Sequence, residues 1–538
     1  MHADLSRITH RPERHYSAVV AQQGRVQLDA DANEQTAIQL FQARTLAADL
    51  IGAHGGPHGA TGFKIDLRGG PHELDDLVIG GGRYYVDGIL CDATRPRPGT
   101  PVPTATAPKE DREDEEEAAD GDTPSAPAAS ETWTYWDQPD GHRDPERPGD
   151  RLPSQFPYLV YLKVWERLVT AAEDPALREV ALGAALPDTA ARAKVVWQVL
   201  PLPASELGLD GDNPPADDIR TAFDRWAQQA AAPGCRLAAR SERPDHADDD
   251  PCLVAPEARY RGPENQLYRV EVHEGGTAKD ATFKWSRENG SPTFPVDELD
   301  GTWVQLASLA NDDKLSLHVG DWVEFVDTGY ASRGEAAPLL RVVEVDLPGR
   351  RVRLSDEPAP GVGRRPELHP FLRRWDHQEA GRKTVRRGDR PGRLRHGAVP
   401  VEEGGWLPLE DGVEVYFEAG GSYRTGDFWL IPARTATGGV EWPTDRARRP
   451  LLQHPSGIVV HHAPLAWVHG EQAVPDLRFA FRPLATGIQA ADAAAQTQGS
   501  GGVGTLSTGA AGRVGPQQPR SQTTAEAEAQ VDEQGVAD

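Results

Sequence analysis

Alternation of apolar and polar residues marks residues 264–290 as a β-hairpin. On the first strand Tyr268, Val270 and Val272 alternate with Arg269, Glu271 and His273, and on the return strand Phe283 and Trp285 repeat the apolar positions. Gly275-Gly276 allows the chain to reverse, and Asn289-Gly290 predicts a second tight turn. We therefore expect two half-buried strands with one apolar and one polar face.

Helical spacing predicts two helices. The first has the spacing of a capping box at Asp31 and Glu34, ends at Gly52, and places Ile38, Phe41, Thr45 and Ala48 on one face. The second covers 216–230, where Ile219, Phe223, Trp226 and Ala230 recur at helical intervals. Ahead of the first helix, Tyr16 to Leu28 is predicted to be extended, with a glycine turn at Gly24.

Short apolar runs predict strands through most of the remaining chain. Residues 158–169 and 193–200 form two of them, and the runs at 311–360, separated by Gly-Asp and Pro-Gly, are typical of a five-stranded SH3-like barrel. The 54 Gly and 46 Pro favour many turns and short strands. We expect a mainly β fold, a β-rich α+β arrangement of several small sheets or barrels.

A chain of 538 residues exceeds the size at which one core usually keeps growing, so we divide it into segments. These are an N-terminal strand-helix and small sheet module at 1–95, a disordered acidic insertion at 96–155, a central β-rich domain at 156–310, the barrel at 311–360, an Arg-rich loop at 361–400, a C-terminal β segment completing the core at 401–486, and a disordered tail at 487–538.

The net charge of −26 disfavours attraction to nucleic acid or to an anionic membrane. The charge is unevenly spread. Residues 101–150 hold 15 Asp/Glu against 4 Lys/Arg, whereas residues 351–400 hold 13 Lys/Arg against 6 Asp/Glu. The acidic run is typical of a solvated linker. The alternative is that the run itself serves as an acidic ligand for a partner.

The basic stretch supplies the candidate interaction residues. They are Arg373, Arg374, Trp375, Arg382, Arg386, Arg387 and Arg390. Guanidinium groups with interleaved aromatics could contact nucleic acid, but the acidic field opposes it. We favour docking of this loop onto acidic surface, in this chain or in a neighbouring subunit.

Three glutamates are the only candidates for acid–base chemistry. Glu264, Glu271 and Glu288 could form a glycosidase carboxylate pair, but cross-strand pairing of Glu271 with Lys284 or Arg287 is the simpler interpretation. We recognise no nucleophile, phosphate-loop or dinucleotide motif. We therefore predict no catalytic residue and no cofactor.

Metal and disulfide chemistry have weak support. His461 and His462 point to opposite faces of a strand, so with His454 they make a poor ligand set, and we predict no metal site. Cys91, Cys235 and Cys252 are too few for a disulfide framework, although Cys235 and Cys252 could pair. The N-terminus lacks the pattern of a signal peptide and no run could span a bilayer, which indicates a cytoplasmic protein without membrane insertion.

Several long phrases together resemble one family. They are HYSAVVAQQGRVQLDADANEQ, VWERLVTAAEDPALREVALG, PDTAARAKVVWQV, PCLVAPEARYRGPENQLYRVEVH, ATFKWSREN, YRTGDFWLIPART and HPSGIVVHHAPLA. They resemble a bacterial domain of unknown function encoded near phage-tail-like contractile injection systems, over roughly 4–485 without the insertion. The chain departs from the pattern at Ala30-Asp31-Ala32-Asn33, where relatives place an aromatic before the Asn. The structural signature in the hairpin is Asn265, Tyr268, Glu271, Phe283, Trp285 and Arg287.

The resemblance implies a non-enzymatic assembly protein of a tail-like particle, at the baseplate or among the fibres. Its partners would be other subunits, with self-association as a further alternative, and it could leave the cell inside a released particle. The rival hypotheses are a glycan- or surface-binding protein that uses Trp133 or Trp375, and an effector hydrolase carried by the particle.

Overall fold

The computed structural model describes residues 2–68, 76–96, 132–183, 186–209, 211, 213–241, 260–308, 314–378, 394–470 and 474–484. It confirms a mainly β fold, with 36% strand and 16% helix. The predicted tail at 487–538 lies outside the described residues, as does 97–131 of the predicted insertion. No helix among the described residues is long and apolar enough to cross a membrane.

The described residues contain four α-helices: α1 Asp29–Ile51, α2 Ala204–Leu207, α3 Ala216–Ala231 and α4 Thr328–Arg333. Short 3-10 turns lie at Pro12–Arg14, Pro148–Asp150, Pro175–Leu177, Val180–Leu182 and Pro366–Leu368.

The strands of the first half are β1 His54–Pro57, β2 Ile65–Arg68, β3 Asp76–Ile79, β4 Arg83–Val86, β5 Ile89–Asp92, β6 Trp133–Thr134, β7 Tyr158–Val169, β8 Arg192–Pro203, β9 Leu237–Ser241, β10 Gln266–Val272, β11 Gly276–Thr277, β12 Thr282–Ser286 and β13 Thr293–Asp300. Those of the second half are β14 Trp303–Leu306, β15 Trp322–Val326, β16 Leu340–Asp346, β17 Arg351–Leu354, β18 Phe371–Trp375, β19 Val399–Pro400, β20 Trp406–Pro408, β21 Val413–Phe417, β22 Ser422–Tyr423, β23 Phe428–Arg434, β24 Gly439–Val440, β25 Val460–Val468 and β26 Ala480–Phe481.

Helix α1 begins and ends close to the predicted residues, but its cap differs. The Asp31 carboxylate accepts a hydrogen bond from the Leu28 N–H at 3.0 Å, so Asp31 lies in the first turn rather than at the N-cap. Glu34 instead accepts a hydrogen bond from the Thr9 hydroxyl at 2.6 Å. Before the helix, residues 16–28 are extended without joining a sheet, and Gly24 makes the expected turn with a φ of 71°.

Strand β7 is the middle strand of the sheet β25-β7-β8 and is apolar on both faces. Val160 and Leu162 pack into a core with the small N-terminal sheets. Leu159 and Tyr161 pack against helix α3, around Phe223. Because layers cover both faces of the sheet, the strand has almost no solvent-exposed side.

The predicted hairpin forms β10 and β12 of the sheet β19-β12-β10-β23-β24, with Val270 opposite Trp285 and Glu271 opposite Lys284. The expectation of a half-buried polar face is wrong, since every residue of β10 and β12 is buried on both faces. The tyrosine and valine face packs into the second core, with Phe283, Trp285 and Trp429. The polar face is covered by the neighbouring barrel.

That barrel is closed and has six strands, in the order β13-β14-β17-β16-β15-β18. A five-stranded SH3-like barrel at 311–360 is not confirmed, because β13, β14 and β18 come from outside that range. The segment 361–400 is likewise not one loop, since Phe371–Trp375 closes the barrel between β15 and β13. Long-range pairing of this kind has no local signal in the sequence.

The second part of the predicted disordered insertion is folded. Trp133–Thr134 pairs with β3, and the Tyr135 hydroxyl donates a hydrogen bond to the Asp150 carbonyl at 2.9 Å. The buried Asp150 carboxylate accepts hydrogen bonds from Arg143 at 3.0 Å and from both terminal nitrogens of Arg333 at 2.8 and 2.9 Å. Polar composition suggested disorder there, but buried ion pairs stabilise the segment instead.

We expect Asp150→Ala to lower the free energy of unfolding by about 3–5 kcal/mol, because two arginines would lose their buried counter-charge. Urea unfolding would measure the change. Glu146→Ala, at an exposed position of the same segment, should change it by less than about 0.5 kcal/mol. Equal effects of the two substitutions would contradict a structural role for Asp150.

Candidate functional site

The polar face of the hairpin meets the outer face of the barrel. Val323 and Phe325 of β15 point into the barrel core, so Glu324 between them points outward. On β18, Arg373 and Trp375 share that outward side, with Arg373 opposite Glu324 in the strand pairing. Arg269, Glu271 and Lys284 approach from the hairpin, so charged residues fill an interface that apolar residues usually occupy.

Four charged residues of this interface, Arg269, Glu271, Lys284 and Glu324, are paired at short distances. Lys284 Nζ lies 2.8 Å from Glu324 Oε1 and 3.3 Å from Glu271 Oε1. Arg269 Nε donates to Glu271 Oε2 at 2.5 Å. The Trp375 indole N–H donates to Glu324 Oε2 at 3.0 Å, and the Tyr330 hydroxyl donates to Glu324 Oε1 at 3.2 Å. We call Arg269, Glu271, Lys284, Glu324 and Arg373 the ionic cluster.

Electrostatics keep both carboxylates of the cluster ionised. Burial opposes the charge on Glu271, but Arg269, Lys284 and His2 outweigh it and hold its pKa well below the usual range. Burial opposes ionisation of Glu324 too, and Lys284 and Arg373 lower its pKa. A carboxylate that stays ionised and fully paired is poorly suited to donate a proton as a general acid.

The N-terminal residues close the cluster. Burial, and then the charges of Arg269 and Arg373, lower the pKa of His2, so its ring is neutral near pH 7. His2 Nε2 lies 2.9 Å from Glu271 Oε2, and the neutral ring donates the hydrogen bond. The Ala3 carbonyl accepts a hydrogen bond from Asn289 Nδ2 at 2.9 Å. The sequence offered no signal for this contact, because residues 2 and 271 are far apart in the chain.

A pocket of about 130 Å³ opens beside the ionic cluster. Its wall includes the five cluster residues and His2, His273, Tyr330 and Arg167. Burial lowers the pKa of His273 to about 4, and Lys284 adds to the shift, so this ring is neutral as well.

A second pocket, of about 400 Å³, lies by the end of β18 and is lined by Arg287, Lys314, Arg374 and Asp376 among others. Arg374 Nη1 donates to the carbonyls of Lys314 and Ser316 at 2.9 and 2.7 Å. Asp376 Oδ1 lies 3.4 Å from Arg374 Nε and 3.8 Å from Arg287 Nε. Acidic residues around this pocket offset its cations.

The three candidate catalytic glutamates are all ion-paired. Glu264 and Glu288 both contact Lys314, and Glu271 pairs across the strands with Lys284 as predicted. Arg287, the alternative partner of Glu271, binds Glu410 at 2.7 Å instead. The geometry therefore supports the cross-strand interpretation over a glycosidase pair.

The candidate interaction residues divide into two groups. Arg373, Arg374 and Trp375 are buried in strand β18, so their predicted place in a loop is wrong. Arg382, Arg386, Arg387 and Arg390 lie outside the described residues.

The two tryptophans considered for glycan stacking have protein partners. Trp375 is buried under Lys284, whose Nζ lies 4.4 Å from the ring centroid. Trp133 is partly buried, with Arg95 stacked on its ring at 4.4 Å.

The signature residues hold the central sheet together. Phe283 and Trp285 lie in its core, and the Tyr268 hydroxyl donates to Glu410 at 3.1 Å. Asn265 accepts a hydrogen bond from the Thr435 N–H at 3.1 Å. This hairpin has further partners in Glu324, Glu410 and His2. The sequence pattern does not reveal them, because each lies far from the hairpin along the chain.

The histidines considered as metal ligands contact other side chains, and two of the three cysteines are described by the structure. His461 Nδ1 lies 2.7 Å from Asp87 Oδ2, whereas the His462 ring packs against Tyr161 and Trp226. Within the described ranges, no group of three His, Cys, Asp or Glu residues could hold a metal ion. Cys91 and Cys235 are free and buried, and Cys252 lies outside the described residues.

The chain belongs to a family of unknown function, DUF6519, whose model matches residues 1–136, 152–207 and 210–534. No curated protein and no solved structure matches this chain significantly.

We expect Glu324→Ala to lower the free energy of unfolding by about 3–5 kcal/mol, because Lys284 would lose its closest counter-charge in a buried interface. Replacing both members, as Lys284→Met with Glu324→Leu, should be less harmful than the sum of Lys284→Met and Glu324→Leu made singly. Chemical denaturation of the four proteins gives this cycle. Glu298→Ala, at an exposed barrel position, is the control. Additive single effects would contradict the pairing.

Acid should destabilise the protein through its buried neutral histidines. Burial lowers the pKa of His377 from 6.5 to about 4, so the unfolded chain binds more protons between these values. Stability is then present above pH 6.5 and falls toward pH 4. His377→Gln should reduce this slope by up to about 1.4 kcal/mol per pH unit, measured by urea unfolding at several pH values. The comparison variant is His58→Gln, at an exposed position of the N-terminal sheet region.

Proposed function

We propose that this protein is a non-enzymatic assembly component of a phage-tail-like contractile injection particle, at the baseplate or among the fibres. The observation that carries the proposal is an N-terminal docking element, which we define as residues 16–51. It comprises the extended arm at 16–28 and helix α1, and it presents apolar side chains to solvent while being firmly attached to the body.

The arm is extended and exposed. Val20 is 78% exposed and Val26 is 86% exposed, and Tyr16 and Leu28 are also exposed. The structure gives its backbone a turn bond from Arg25 to Gln22 and a bond from the Val19 N–H to the Gln35 side chain at 2.7 Å. An extended segment with apolar side chains is suited to adding a strand to the sheet of another protein.

Helix α1 has a second apolar face. On the predicted face Ile38 is buried and Ala48 is half-buried, whereas Phe41 and Thr45 are exposed. On the other side Leu40, Ala43, Leu46, Ala47 and Leu50 recur at intervals of three and four residues. Leu46 is 61% exposed and Leu50 is 64% exposed. A helix that is apolar on two sides is normally covered on both, which favours a neighbouring subunit as the second cover.

The docking element is attached by specific contacts. Arg44 forms a bidentate pair with Glu166 of β7, with both distances at 2.7 Å. Gly88, in the β4–β5 turn, contacts the helix so closely that an added Cβ would lie 2.1 Å from the Arg44 carbonyl oxygen. Such fixed positioning reduces the entropy lost when a partner binds.

The interior chemistry is consistent with a non-enzymatic role. The glutamates that could have served catalysis are ion-paired, and the tryptophans proposed for glycan binding pack against protein groups. The assignment to a contractile injection particle rests on the resemblance of the long sequence phrases, and self-association through the docking element remains part of the proposal.

To test this role, tail-like particles would be purified from a strain that carries the gene, and the chain quantified in each fraction by mass spectrometry. We expect the protein to sediment with the particles. Leu40→Glu combined with Leu46→Glu should reduce incorporation at least tenfold, because charge would be buried in the contact, while the isolated protein should remain folded.

Gln42→Glu combined with Thr45→Glu is the matched control, since it adds the same charge to exposed polar positions of α1 outside the face that carries Leu40, Leu46 and Leu50. It should be incorporated normally. If the chain is absent from every particle fraction, the proposed function is wrong. If both double variants are incorporated like the original protein, helix α1 is not the docking surface.

A further inference from the structure

The pocket beside the ionic cluster has one cation that lacks a carboxylate partner. Glu324 is engaged by Lys284 at 2.8 Å, and Glu271 is engaged by Arg269 at 2.5 Å. Arg373 is only 8% exposed, and its Nε donates to the Gly290 carbonyl at 3.1 Å. Among the described residues, no carboxylate lies within ion-pair distance of Arg373. A buried charge of this kind is unfavourable unless something compensates it.

Two other polar groups in the same pocket have no hydrogen-bond partner within the described ranges. His273 is 1% exposed and its Nε2 is unpaired. Arg167 uses Nη1 to contact Glu173, but its Nε is unpaired. Both residues line the pocket, as Arg373 does. Buried donors without partners are uncommon in folded proteins and indicate a missing acceptor.

Size and charge limit what the acceptor can be. The pocket of about 130 Å³ is far larger than the roughly 10–15 Å³ that a single water requires, and close to the ~150 Å³ of cavities that hold a six-carbon ring. The other charges of its wall are paired, Arg167 with Glu173, Glu166 with Arg44 from outside the wall, and Glu335 with Arg147 from outside the wall. The remaining excess is one positive charge, which suits a small anion with several oxygen acceptors.

We propose that this pocket binds a small oxyanion, a carboxylate or a phosphate of about four to six non-hydrogen atoms, with Arg373 as its principal charge partner. Arg167 Nε and His273 Nε2 supply further hydrogen bonds. The ligand would lie where the central sheet, the barrel and β7 meet, and binding would therefore stabilise the contact between them. This site goes beyond the proposed assembly role and does not depend on it.

Isothermal titration calorimetry of the full chain at constant ionic strength tests the proposal, with sodium acetate and sodium phosphate as probes. We expect saturable binding of at least one probe at one site per chain, and the two titrations distinguish a carboxylate site from a phosphate site. Acetamide, which has the shape of acetate without its charge, should bind at least tenfold more weakly. The absence of saturable binding by both anions, or equal binding of acetate and acetamide, would overturn the proposal.

Arg373→Gln should weaken binding of the anion at least tenfold, because it removes the charge and keeps a shorter polar side chain whose amide can replace the Nε hydrogen bond to Gly290. Arg341→Gln, on the exposed side of the barrel, is the matched control and should bind as the original protein does. If Arg373→Gln does not fold, Arg167→Lys removes the Nε donor, retains the charge next to Glu173, and should weaken binding several-fold. Unchanged affinity in a folded Arg373→Gln protein would show that the anion binds elsewhere.

Discussion

The rest of the structure depends on the buried charged contact between the central sheet and the barrel. Lys284 of the hairpin bridges Glu271 of the central sheet and Glu324 of the barrel, so its ammonium group contacts both parts of the structure. Pairs of this kind contribute little net stability relative to apolar packing, but breaking one member leaves a buried charge. The contact therefore defines how the sheet and the barrel meet, since a shifted arrangement would leave charges without partners.

The N-terminal segment extends this arrangement outward. His2 hydrogen-bonds to Glu271, the Ser6 N–H donates to Asp29 at 2.9 Å, and Thr9 donates to Glu34. The same short stretch thus contacts the buried cluster and the start of helix α1. A load applied to the docking element by a partner would reach the sheet through these contacts, as the proposed role would require. The pocket that we assign to an oxyanion lies beside Glu271, where these contacts reach the buried cluster.

Local patterns predicted a large part of the fold but little of the site. Helix α1, helix α3 and strands β7, β10 and β12 follow from the spacing of apolar residues and from Gly52 and Gly275-Gly276. Cross-strand pairing of Glu271 was also expected, with Lys284 or Arg287, because residues opposite each other in a hairpin are neighbours by geometry, and the structure selects Lys284. Glu324, Arg373 and His2 could not be placed, since their contacts join segments tens to hundreds of residues apart. The folded segment at 132–155 was missed because polar composition does not reveal buried ion pairs such as Asp150 with Arg333.

The sequence by itself determined the class of fold, the family and the position of the hairpin, because these depend on periodicity, turn residues and long characteristic phrases. Only the tertiary structure decided that the polar face of β10 is buried, that Phe371–Trp375 closes a six-stranded barrel, and that Leu46 and Leu50 of α1 remain exposed. The physical reason is that a strand or helix pattern shows which residues share a face. Which partner covers that face, and whether any partner in the same chain does so, depends on packing between distant segments.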